Sequence, residues 1–390
     1  MLAGVPKETF PGERRVAVIP AVLPALAQWG LEVLVESGAG EAAGFPDALY
    51  VEKGARLGSR DDVFGTADAV LAVRSLASSH LAPPPDLSVL RGGQVVVGFL
   101  DPIGAPEGVK ALADRGTTAF ALDMIPRISR AQAMDALSSV ATVIGYKAVL
   151  LAADTLPRML PMMMTAGGTL SPAKLFVIGA GVAGLQAIAT ARRLGAVVEA
   201  YDVRPATREQ IQSLGAKYVD LALEAQDAQD EGGYARAMDE TFYRRQREVM
   251  ARVVAASDVV ISTAAIPGQR APVLITAEMV AAMRPGSVIV DVAAEQGGNC
   301  ALTQPGQAVT HGGVTVLGSV NVAASVPNHA SLMHARNVAN FLALIVKDGR
   351  LTLDLADPIV RETLVARGGE VTHPRLRQTL GLPALAASAS

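Results

Sequence analysis

The feature that most constrains the fold of this chain is a glycine-rich turn between a short apolar strand and a helix. Residues 173–178 (AKLFVI) predict the strand, residues 179–184 (GAGVAG) follow directly, and a helical pattern continues to Leu194. A second apolar strand, 197–200, ends at Tyr201-Asp202. Strand, glycine turn, helix and strand in this order are typical of the βαβ unit that opens a dinucleotide-binding domain.

Each glycine of this turn has a physical role in that interpretation. Gly179 permits a tight turn, Gly181 lets a pyrophosphate approach the backbone, and Gly184 lets helix and strand pack closely. The helix N-terminus offers N–H groups and a favourable dipole to the phosphate anions. We predict cofactor contacts along the whole turn, at Gly179, Ala180, Gly181, Val182, Ala183 and Gly184.

The end of the second strand predicts which dinucleotide binds. Asp202 follows Gly179 by 23 residues, close to the roughly 20 at which a carboxylate binds the adenosine ribose hydroxyls. That carboxylate would repel a 2′-phosphate, so the sequence favours NAD(H) over NADP(H). Arg204 weighs on the other side, because an arginine after this strand can hold a 2′-phosphate. We expect Asp202 to dominate, with Val203 and Arg204 beside the cofactor.

Composition excludes several other classes of protein. A formal net charge of −3 excludes a strongly basic nucleic-acid binder, and a single cysteine, Cys300, permits no internal disulfide. The histidines lack metal-ligand spacing, so we expect no metal site. We also expect no secretory signal and no membrane span. Residues 137–153 come nearest to a span, and they read as a buried helix of a soluble protein.

Strand and helix signals alternate along the chain, which implies α/β domains with parallel sheets and right-handed crossovers. Long helices are predicted at residues 129–153 and 331–347. The strand candidates are residues 4–7, 32–36, 69–73, 94–99 and 118–122, then 173–178, 197–200, 258–263, 287–292 and 314–317.

This order predicts two Rossmann-like, doubly wound parallel-sheet domains joined by long helices. The first domain is discontinuous, with residues 1–137 and 325–390. The second, the NAD(H)-binding domain, comprises residues 138–324.

Two loops after strands of the second domain add candidate cofactor contacts, because ligands bind beyond the carboxyl ends of parallel strands. Ala264 and Ala265 should flank the nucleotide backbone, and Glu295 and Gln296 should face the cofactor. A polar, glycine-hinged segment, Gln226–Gln246, is too long for an ordinary connection. It is either a solvated insertion or a lid or docking loop with Tyr234 at its tip.

Residues 126–139 (PRISRAQAMDALSS) place polar side chains on one face of a predicted helix. Two interpretations stay open from spacing alone. The stripe can grip a nicotinamide carboxamide and ribose, or Ser129 and Gln132 can form a capping box while Asp135 pairs with an arginine. Near the N-terminus, Arg14 and Arg15 read as surface charges.

Together these motifs resemble the NAD(H)-binding soluble component of proton-translocating nicotinamide nucleotide transhydrogenase. The resemblance covers nearly the whole chain. Its most specific segments are RISRAQAMDALSS (127–139) and IPGQRAPVLITAEMV (266–280). Four further segments share the resemblance: VPKETFPGERRVA (5–17), GAGVAGLQAIATARRLGAVVEAYDVRP (179–205), GGYAR (232–236) and DVAAEQGGNC (291–300).

The resemblance implies roles that spacing leaves open. Catalytic residues around the dihydronicotinamide would be Arg127, Gln132, Asp135 and Ser138, and Tyr234 would belong to a mobile loop that closes over the nucleotide. It implies direct hydride transfer between NADH and NADP⁺, with NADP(H) held by a partner subunit, and coupling of this transfer to transmembrane proton movement. It also implies a homodimer that docks a membrane-embedded subunit, so the chain would be cytoplasmic and peripheral at the inner membrane.

Alanine dehydrogenase, which shares the expected fold, is the alternative. Such an enzyme would use Arg15 for a substrate carboxylate, a lysine after the third strand, and a histidine as acid and base. The corresponding residues here are Arg74 and, in place of the histidine, Asp101. Loss of that histidine removes the general acid and base of amine–ketone chemistry. Transfer between two nicotinamides needs no such group, so the sequence favours transhydrogenation.

Overall fold

The computed structural model describes residues 1–74, 76, 86–220, 238–266 and 268–385. The chain divides into two compact units, Met1–Val140 with Ala324–Ser390, and Ala141–Ala323. Each unit is an α/β structure built on a largely parallel sheet, which confirms the predicted fold class.

The helices and strands of the described residues are, in chain order, β1 (Leu2–Val5), α1 (Leu23–Gln28), β2 (Glu32–Glu36), α2 (Asp47–Glu52), β3 (Arg56–Gly58), α3 (Arg60–Thr66), β4 (Ala69–Leu71), β5 (Val95–Gly98), α4 (Pro106–Asp114), β6 (Thr118–Ala121), α5 (Ala136–Thr155), β7 (Met163–Thr165), β8 (Gly168–Leu170), β9 (Lys174–Ile178), α6 (Val182–Arg193), β10 (Val197–Tyr201), α7 (Thr207–Ser213), β11 (Lys217–Tyr218), α8 (Glu240–Ala256), β12 (Val259–Ser262), α9 (Ala277–Ala281), β13 (Val288–Asp291), β14 (Ala308–His311), β15 (Val314–Gly318), α10 (Pro327–Ile345), β16 (Val346–Lys347), β17 (Arg350–Leu351), α11 (Pro358–Thr363), β18 (Leu364–Arg367), β19 (Glu370–Val371) and α12 (Pro374–Thr379).

The sheet of the first unit has the order β19-β18-β6-β5-β4-β1-β2-β3. Strands β1 to β6 run parallel in the doubly wound order 3-2-1-4-5-6. Strand β18 returns from the C-terminal part of the chain and joins β6 antiparallel. Two antiparallel strands at this edge were not predicted, because their short sequences carry no parallel-strand signal.

The C-terminal segment completes the hydrophobic core of the first unit. Helix α10 buries Phe341 completely, with its ring 5.4 Å from that of Phe120 in an edge-to-face arrangement. The Ser331 hydroxyl accepts the backbone N–H of Val16 at 3.0 Å, and Asn337 donates to the carbonyl of Ala133 at 2.9 Å. These contacts make the C-terminal segment of the chain part of the fold of the N-terminal sheet.

The sheet of the second unit has the order β11-β10-β9-β12-β13-β15-β14. Six strands are parallel and β14 alone pairs antiparallel, with β15. Strands β9, β12 and β13 are nearly uninterrupted runs of buried residues, as expected for strands covered on both faces. The glycine turn follows β9. The next strand along the chain, β10, lies on one side of β9, and β12 lies on its other side.

Two predictions about the segment between the sheets are wrong. The helix expected over 129–153 begins at Ala136, because residues 129–134 form a 3₁₀ helix that ends at Asp135. Of all helices in the described residues, α5 alone is long and apolar enough to cross a membrane, a property that core helices share. Only 33% of that apolar stretch is buried, so the expectation of a buried helix does not hold.

Removal of the Phe341 ring tests how strongly the C-terminal segment supports the first unit. Phe341→Ala should lower the free energy of unfolding by about 3–5 kcal/mol, because it leaves a cavity against Phe120. Leu355→Ala is the control, since Leu355 is 47% exposed and its truncation should cost little. Denaturant unfolding measures both variants, and similar losses for the two would contradict this account of the core.

Candidate functional site

The carboxyl ends of β9 and β12 form the switch point of the second sheet, where connections leave to opposite sides and ligands of such sheets bind. The glycine turn follows β9, and Thr263 follows β12. The Thr263 hydroxyl donates to the carbonyl oxygens of Ile178 and Gly179, at 3.3 and 3.1 Å. The two strand ends are therefore fastened to each other beside the turn.

The three glycines of the turn meet three different constraints. Gly179 has a φ of +91°, a conformation that side chains rarely adopt. A Cβ atom at Gly184 would overlap the carbonyl oxygen of Gly179, so only glycine lets α6 approach the strand this closely. A Cβ at Gly181 would meet nothing within 4 Å.

Open space at Gly181 lies directly before α6, a helix of 12 residues. The first N–H groups of a helix have no partner within the helix, and the dipole there favours an anion. These features match the groups that a dinucleotide pyrophosphate requires. The turn thus fits the cofactor that the sequence predicts for it.

Asp202, directly after β10, is buried and tied to the glycine turn. Its Oδ2 accepts the backbone N–H of Ala180 at 2.6 Å. Arg204 donates to the same carboxylate from its backbone N–H, from Nε and from Nη2, at 2.8, 2.9 and 2.9 Å. The carboxylate predicted to bind ribose therefore lies at the turn. It is paired with Arg204, the residue that, in the sequence, favours NADP(H).

A buried amide organises the loops after β12 and β13. Asn299 is fully buried, and its Nδ2 donates to the carbonyl oxygens of Ala264 and Pro272, at 2.8 and 2.9 Å. Its Oδ1 accepts the Ser262 hydroxyl at 2.7 Å, and its backbone N–H donates to Asp291 at 2.7 Å. Asn299 therefore fixes the loop that carries the candidate contacts at Ala264 and Ala265.

Glu295 and Gln296 are placed differently from one another. The Glu295 carboxylate accepts the backbone N–H of Asn321 at 2.6 Å, so it braces a neighbouring loop. Gln296 is exposed, and its backbone carbonyl oxygen accepts the backbone N–H of Ala271 at 2.8 Å. Both lie in the 3₁₀ helix Ala294–Gln296 that follows β13.

Neither a thiol nucleophile nor a metal centre emerges from the described part of the chain. Burial, foremost, raises the pKa of the Cys300 thiol to about 11, which keeps it protonated and unreactive at neutral pH. The described residues contain no group of three or more histidine, cysteine or carboxylate side chains able to hold a metal ion.

The polar segment before α5 does not form the predicted capping box. No side chain caps the 3₁₀ helix Ser129–Met134. Asp135 instead begins α5, because its carboxylate accepts the backbone N–H of Ser138 at 2.8 Å and the Ser138 hydroxyl at 2.6 Å. The residue that pairs with Arg130 is Asp357, at 2.6 Å. Arg127 and Gln132 are exposed.

In the first unit, the corresponding switch point between β1 and β4 is filled by the chain itself. The Glu8 carboxylate accepts the backbone N–H groups of Val73 and Arg74, at 2.6 and 2.9 Å. Arg15 is buried rather than exposed as predicted, because Nε and Nη2 each donate to Glu13 at 2.7 Å. This bidentate pair explains how a buried arginine is tolerated.

Burial and charge shift several pKa values in this cluster. Burial, followed by the nearby Glu13, raises the pKa of Glu8 to about 7. Although burial opposes it, the charge of Arg15 lowers the pKa of Glu13 to about 2. Burial and Arg15 lower the pKa of His334 to about 3, so this ring is neutral, and it lies 5.2 Å from that of Phe99.

A second carboxyl pair follows β5 and β6. The Asp123 carboxylate accepts the backbone N–H of Asp101 at 2.7 Å. Burial, followed by the charge of Asp101, raises the pKa of Asp123 to about 7. Asp101 itself adopts a φ of +48°, which is uncommon for a residue other than glycine. A group able to exchange a proton near neutral pH is therefore present where the sequence predicted none.

Two sequence expectations concern residues 226–246. Tyr234 lies outside the described residues. The predicted insertion is too long at its C-terminal end, because α8 begins at Glu240 with Asp239 as its N-cap. Gln246, the predicted end of the insertion, is a buried residue of that helix.

The sequence interpretation missed the residues that organise the two switch points, Asn299 and Asp291 in the second unit and Glu8 in the first. Asp291 accepts backbone N–H groups from Ala293, Asn299 and Cys300, and also the Thr303 hydroxyl. A signal was available for Asp291, since it is a carboxylate at the end of a fully apolar strand. Asn299 carries no comparable signal, because its partners come from three separate segments.

Comparisons with known proteins match this chain over nearly its whole length. The family model "Alanine dehydrogenase/PNT, N-terminal domain" matches residues 4–144, and "Alanine dehydrogenase/PNT, C-terminal domain" matches residues 148–374. The first portion of the NAD(P) transhydrogenase alpha subunit of Rhodospirillum rubrum is 45% identical over 380 residues, which are 96% of this chain and 99% of that protein.

A solved structure supports the same likeness. The crystal structure of transhydrogenase from Sinorhizobium meliloti has 44% sequence identity and a TM-score of 0.83, and the match covers 95% of this chain and 100% of that one. Alanine dehydrogenase of Mycobacterium tuberculosis is more distant, at 29% identity over 398 residues and 98% of each chain.

Substitution of two glycines of the turn separates packing from cofactor approach. Gly184→Ala should lower the free energy of unfolding by about 1–3 kcal/mol, because the new methyl group overlaps the Gly179 carbonyl. Gly181→Ala should change it by less than about 0.5 kcal/mol, because the space around Gly181 is open. Denaturant unfolding compares the two, and equal stability losses would contradict this geometry.

The raised pKa of Glu8 predicts a pH-dependent stability. Because the folded pKa of about 7 exceeds the ordinary 4.5, stability supplied by the protonated carboxyl is lost as pH rises through this window. The expected loss is up to about 3 kcal/mol. Glu8→Gln cannot ionise, so its free energy of unfolding should fall less from pH 5 to pH 7. Parallel pH profiles for the variant and the parent would rule the explanation out.

Proposed function

Because the chain belongs to the alanine dehydrogenase/PNT family, we propose that it is the NAD(H)-binding component of a proton-translocating transhydrogenase. In this proposal NADH gives a hydride directly to NADP⁺ held by a partner subunit, and the exchange is coupled to proton movement across a membrane. The observation that carries the proposal is the glycine turn, with its open space at Gly181 and a carboxylate beside it.

The second unit supplies the contacts to the nucleotide backbone and the adenosine. The proposed contacts are Gly179, Ala180, Gly181, Val182, Ala183 and Gly184 at the pyrophosphate, Asp202, Val203 and Arg204 at the adenosine ribose, and Tyr234, Ala264, Ala265, Glu295 and Gln296 elsewhere along the cofactor. A buried carboxylate at the ribose position is why NADP(H) is assigned to the partner.

The segment before α5 supplies the proposed contacts to the nicotinamide. Arg127 and Gln132 are exposed, so a ligand that approaches from solvent meets these side chains first. Asp135 and Ser138 hold one another by two hydrogen bonds, which fixes their orientation at the start of α5. Preorganised polar groups of this kind orient a ring without spending entropy during the reaction.

Hydride exchange between two nicotinamides moves no proton at the reacting carbons. The protein therefore has to appose the rings and exclude water, rather than supply an acid or base. The proposed roles of Arg127, Gln132, Asp135 and Ser138 are all of the orienting kind.

We further propose that the chain forms a homodimer. Strands β7 and β8 pair as an antiparallel hairpin whose residues are all exposed, including apolar Met164 at 78% and Leu170 at 49%. A lone two-stranded hairpin with exposed apolar side chains is marginal in water, so it needs a protein surface to cover it. A second copy of the chain is the proposed cover.

The chain itself would not move protons in this proposal. Membrane-embedded partner subunits would carry that step, and the chain would be cytoplasmic and peripheral at the inner membrane through its contact with them. Its own formal net charge of −3 gives no general attraction to anionic lipid.

The transfer reaction itself tests the proposal. This chain is mixed with an NADP(H)-binding transhydrogenase domain, and hydride transfer from NADPH to an oxidised NAD analogue is followed by absorbance. Rapid transfer that requires both proteins supports the proposal. If NADH binds and the partner is competent but no transfer occurs, the proposal is wrong.

Alanine dehydrogenase activity is the second candidate, and one observation favours it. Asp123, with a pKa near 7 beside Asp101, can exchange a proton at neutral pH. Against it, the Nε and Nη2 edge of the Arg15 guanidinium already binds Glu13, so this edge is not open to a substrate carboxylate. Oxidation of NADH by pyruvate and ammonia with this chain alone would establish that second function.

Substitution of Gln132 tests the orienting role in particular. Gln132→Asn shortens the side chain by one methylene while it keeps the amide, so it should slow transfer at least tenfold and weaken NADH binding much less. Stopped-flow transfer and calorimetric binding give the two values. Losses of the same size in both would show that Gln132 only binds the nucleotide.

A further inference from the structure

The carboxylate of Asp202 has no acceptor site left for a ligand. A carboxylate offers about four lone-pair sites. Four donors occupy them, the backbone N–H groups of Ala180 and Arg204 and the Nε and Nη2 atoms of Arg204, all within 2.9 Å. The pair is also withdrawn from water, with exposed side-chain fractions of 5% for Asp202 and 13% for Arg204.

Only one of these partners can leave without unfolding the turn. The two backbone N–H groups are fixed by the glycine turn and by the start of the next loop. The Arg204 guanidinium is the movable donor, so a ribose hydroxyl reaches Asp202 only where the guanidinium gives way. Arg204 and the adenosine ribose are thus alternative partners of one carboxylate.

The same pairing changes how the site treats a 2′-phosphate. Asp202 and Arg204 together carry no net charge, so the carboxylate alone exerts little repulsion on an approaching dianion. The guanidinium fork of Arg204 binds phosphate more effectively than other side chains do, but pairing with Asp202 prevents it from doing so. In this structure two nitrogens of that fork already donate to Asp202.

We infer that Asp202 disfavours NADP(H) chiefly because it binds the Arg204 guanidinium and so keeps it from the 2′-phosphate. When the carboxylate is neutralised, Arg204 becomes a ligand of the 2′-phosphate. The inference rests on the proposed NAD(H) site and names Arg204 as a residue that determines coenzyme specificity. It differs from simple repulsion by Asp202, because repulsion would not require the arginine.

A double-mutant cycle separates the two explanations. NADH and NADPH affinities are measured by fluorescence titration for the parent chain, Asp202→Asn, Arg204→Gln and the double variant. Asparagine keeps an acceptor for the Ala180 N–H but removes the charge. We expect Asp202→Asn to raise the NADPH to NADH affinity ratio at least tenfold, and the double variant to lose that gain.

Two controls support the interpretation of the cycle. Glu199→Gln removes one acidic charge from the same strand, where Glu199 pairs with Lys217 at 2.6 Å, and it should leave the ratio unchanged. The gain in Asp202→Asn should also shrink at high salt, because it rests on a charge-assisted contact. Thermal unfolding checks that each variant is folded.

The possible outcomes are distinct. An equal gain in the double variant would overturn the inference, because it would leave repulsion as the cause. No gain in a folded Asp202→Asn protein would overturn it as well. Failure of the parent chain to bind NADH would count against the proposed function instead. Normal NADH binding together with either contrary result would count against this inference alone.

Discussion

The rest of the second unit depends on the close contact between the first turn of α6 and the end of β9. Only glycine at position 184 avoids an overlap with the Gly179 carbonyl, and that contact directs the helix N-terminus to the switch point of the sheet. The Ala180 N–H can then donate to Asp202, and the Thr263 hydroxyl can donate to the carbonyl oxygen of Gly179. One backbone constraint thus places both the N-terminus of α6 and the Asp202 carboxylate, the two features to which we assign the pyrophosphate and the ribose.

The two units share the order 3-2-1-4-5 of their first five strands but differ at their switch points. After β1 the chain reads Pro6-Lys7-Glu8 where the second unit has its glycine turn. The Glu8 carboxylate binds the backbone of residues 73 and 74, and the Arg15–Glu13 pair is buried in the same region. Charged side chains of the protein itself thus lie at the switch point of the first unit, where the second unit has a glycine turn. Fold alone therefore does not determine which unit binds a cofactor.

Local sequence predicted most of the parallel strands, because these are short apolar runs with a clear end. It missed the two edge strands β3 and β11, which are too short and too polar to form such a run. The predicted 32–36 and the observed Glu32–Glu36 agree, and the candidate at 197–200 differs from β10 by one residue. Contacts between distant segments were not predictable. The start of α5 depends on a cap by Asp135, whereas one of the two open interpretations placed a cap at Ser129, and Arg15 is buried because Glu13 pairs with it. The roles of the site residues stay predictions.

The stoichiometry of NADH binding tests the central claim, that one of the two Rossmann-like units holds the dinucleotide. Isothermal titration calorimetry of the chain with NADH should give one bound nucleotide per chain. The Gly181→Ala chain should fold normally and bind more weakly, because its methyl group enters the space beside the helix N-terminus. Two bound nucleotides per chain, or full affinity in the Gly181→Ala chain, would contradict the account.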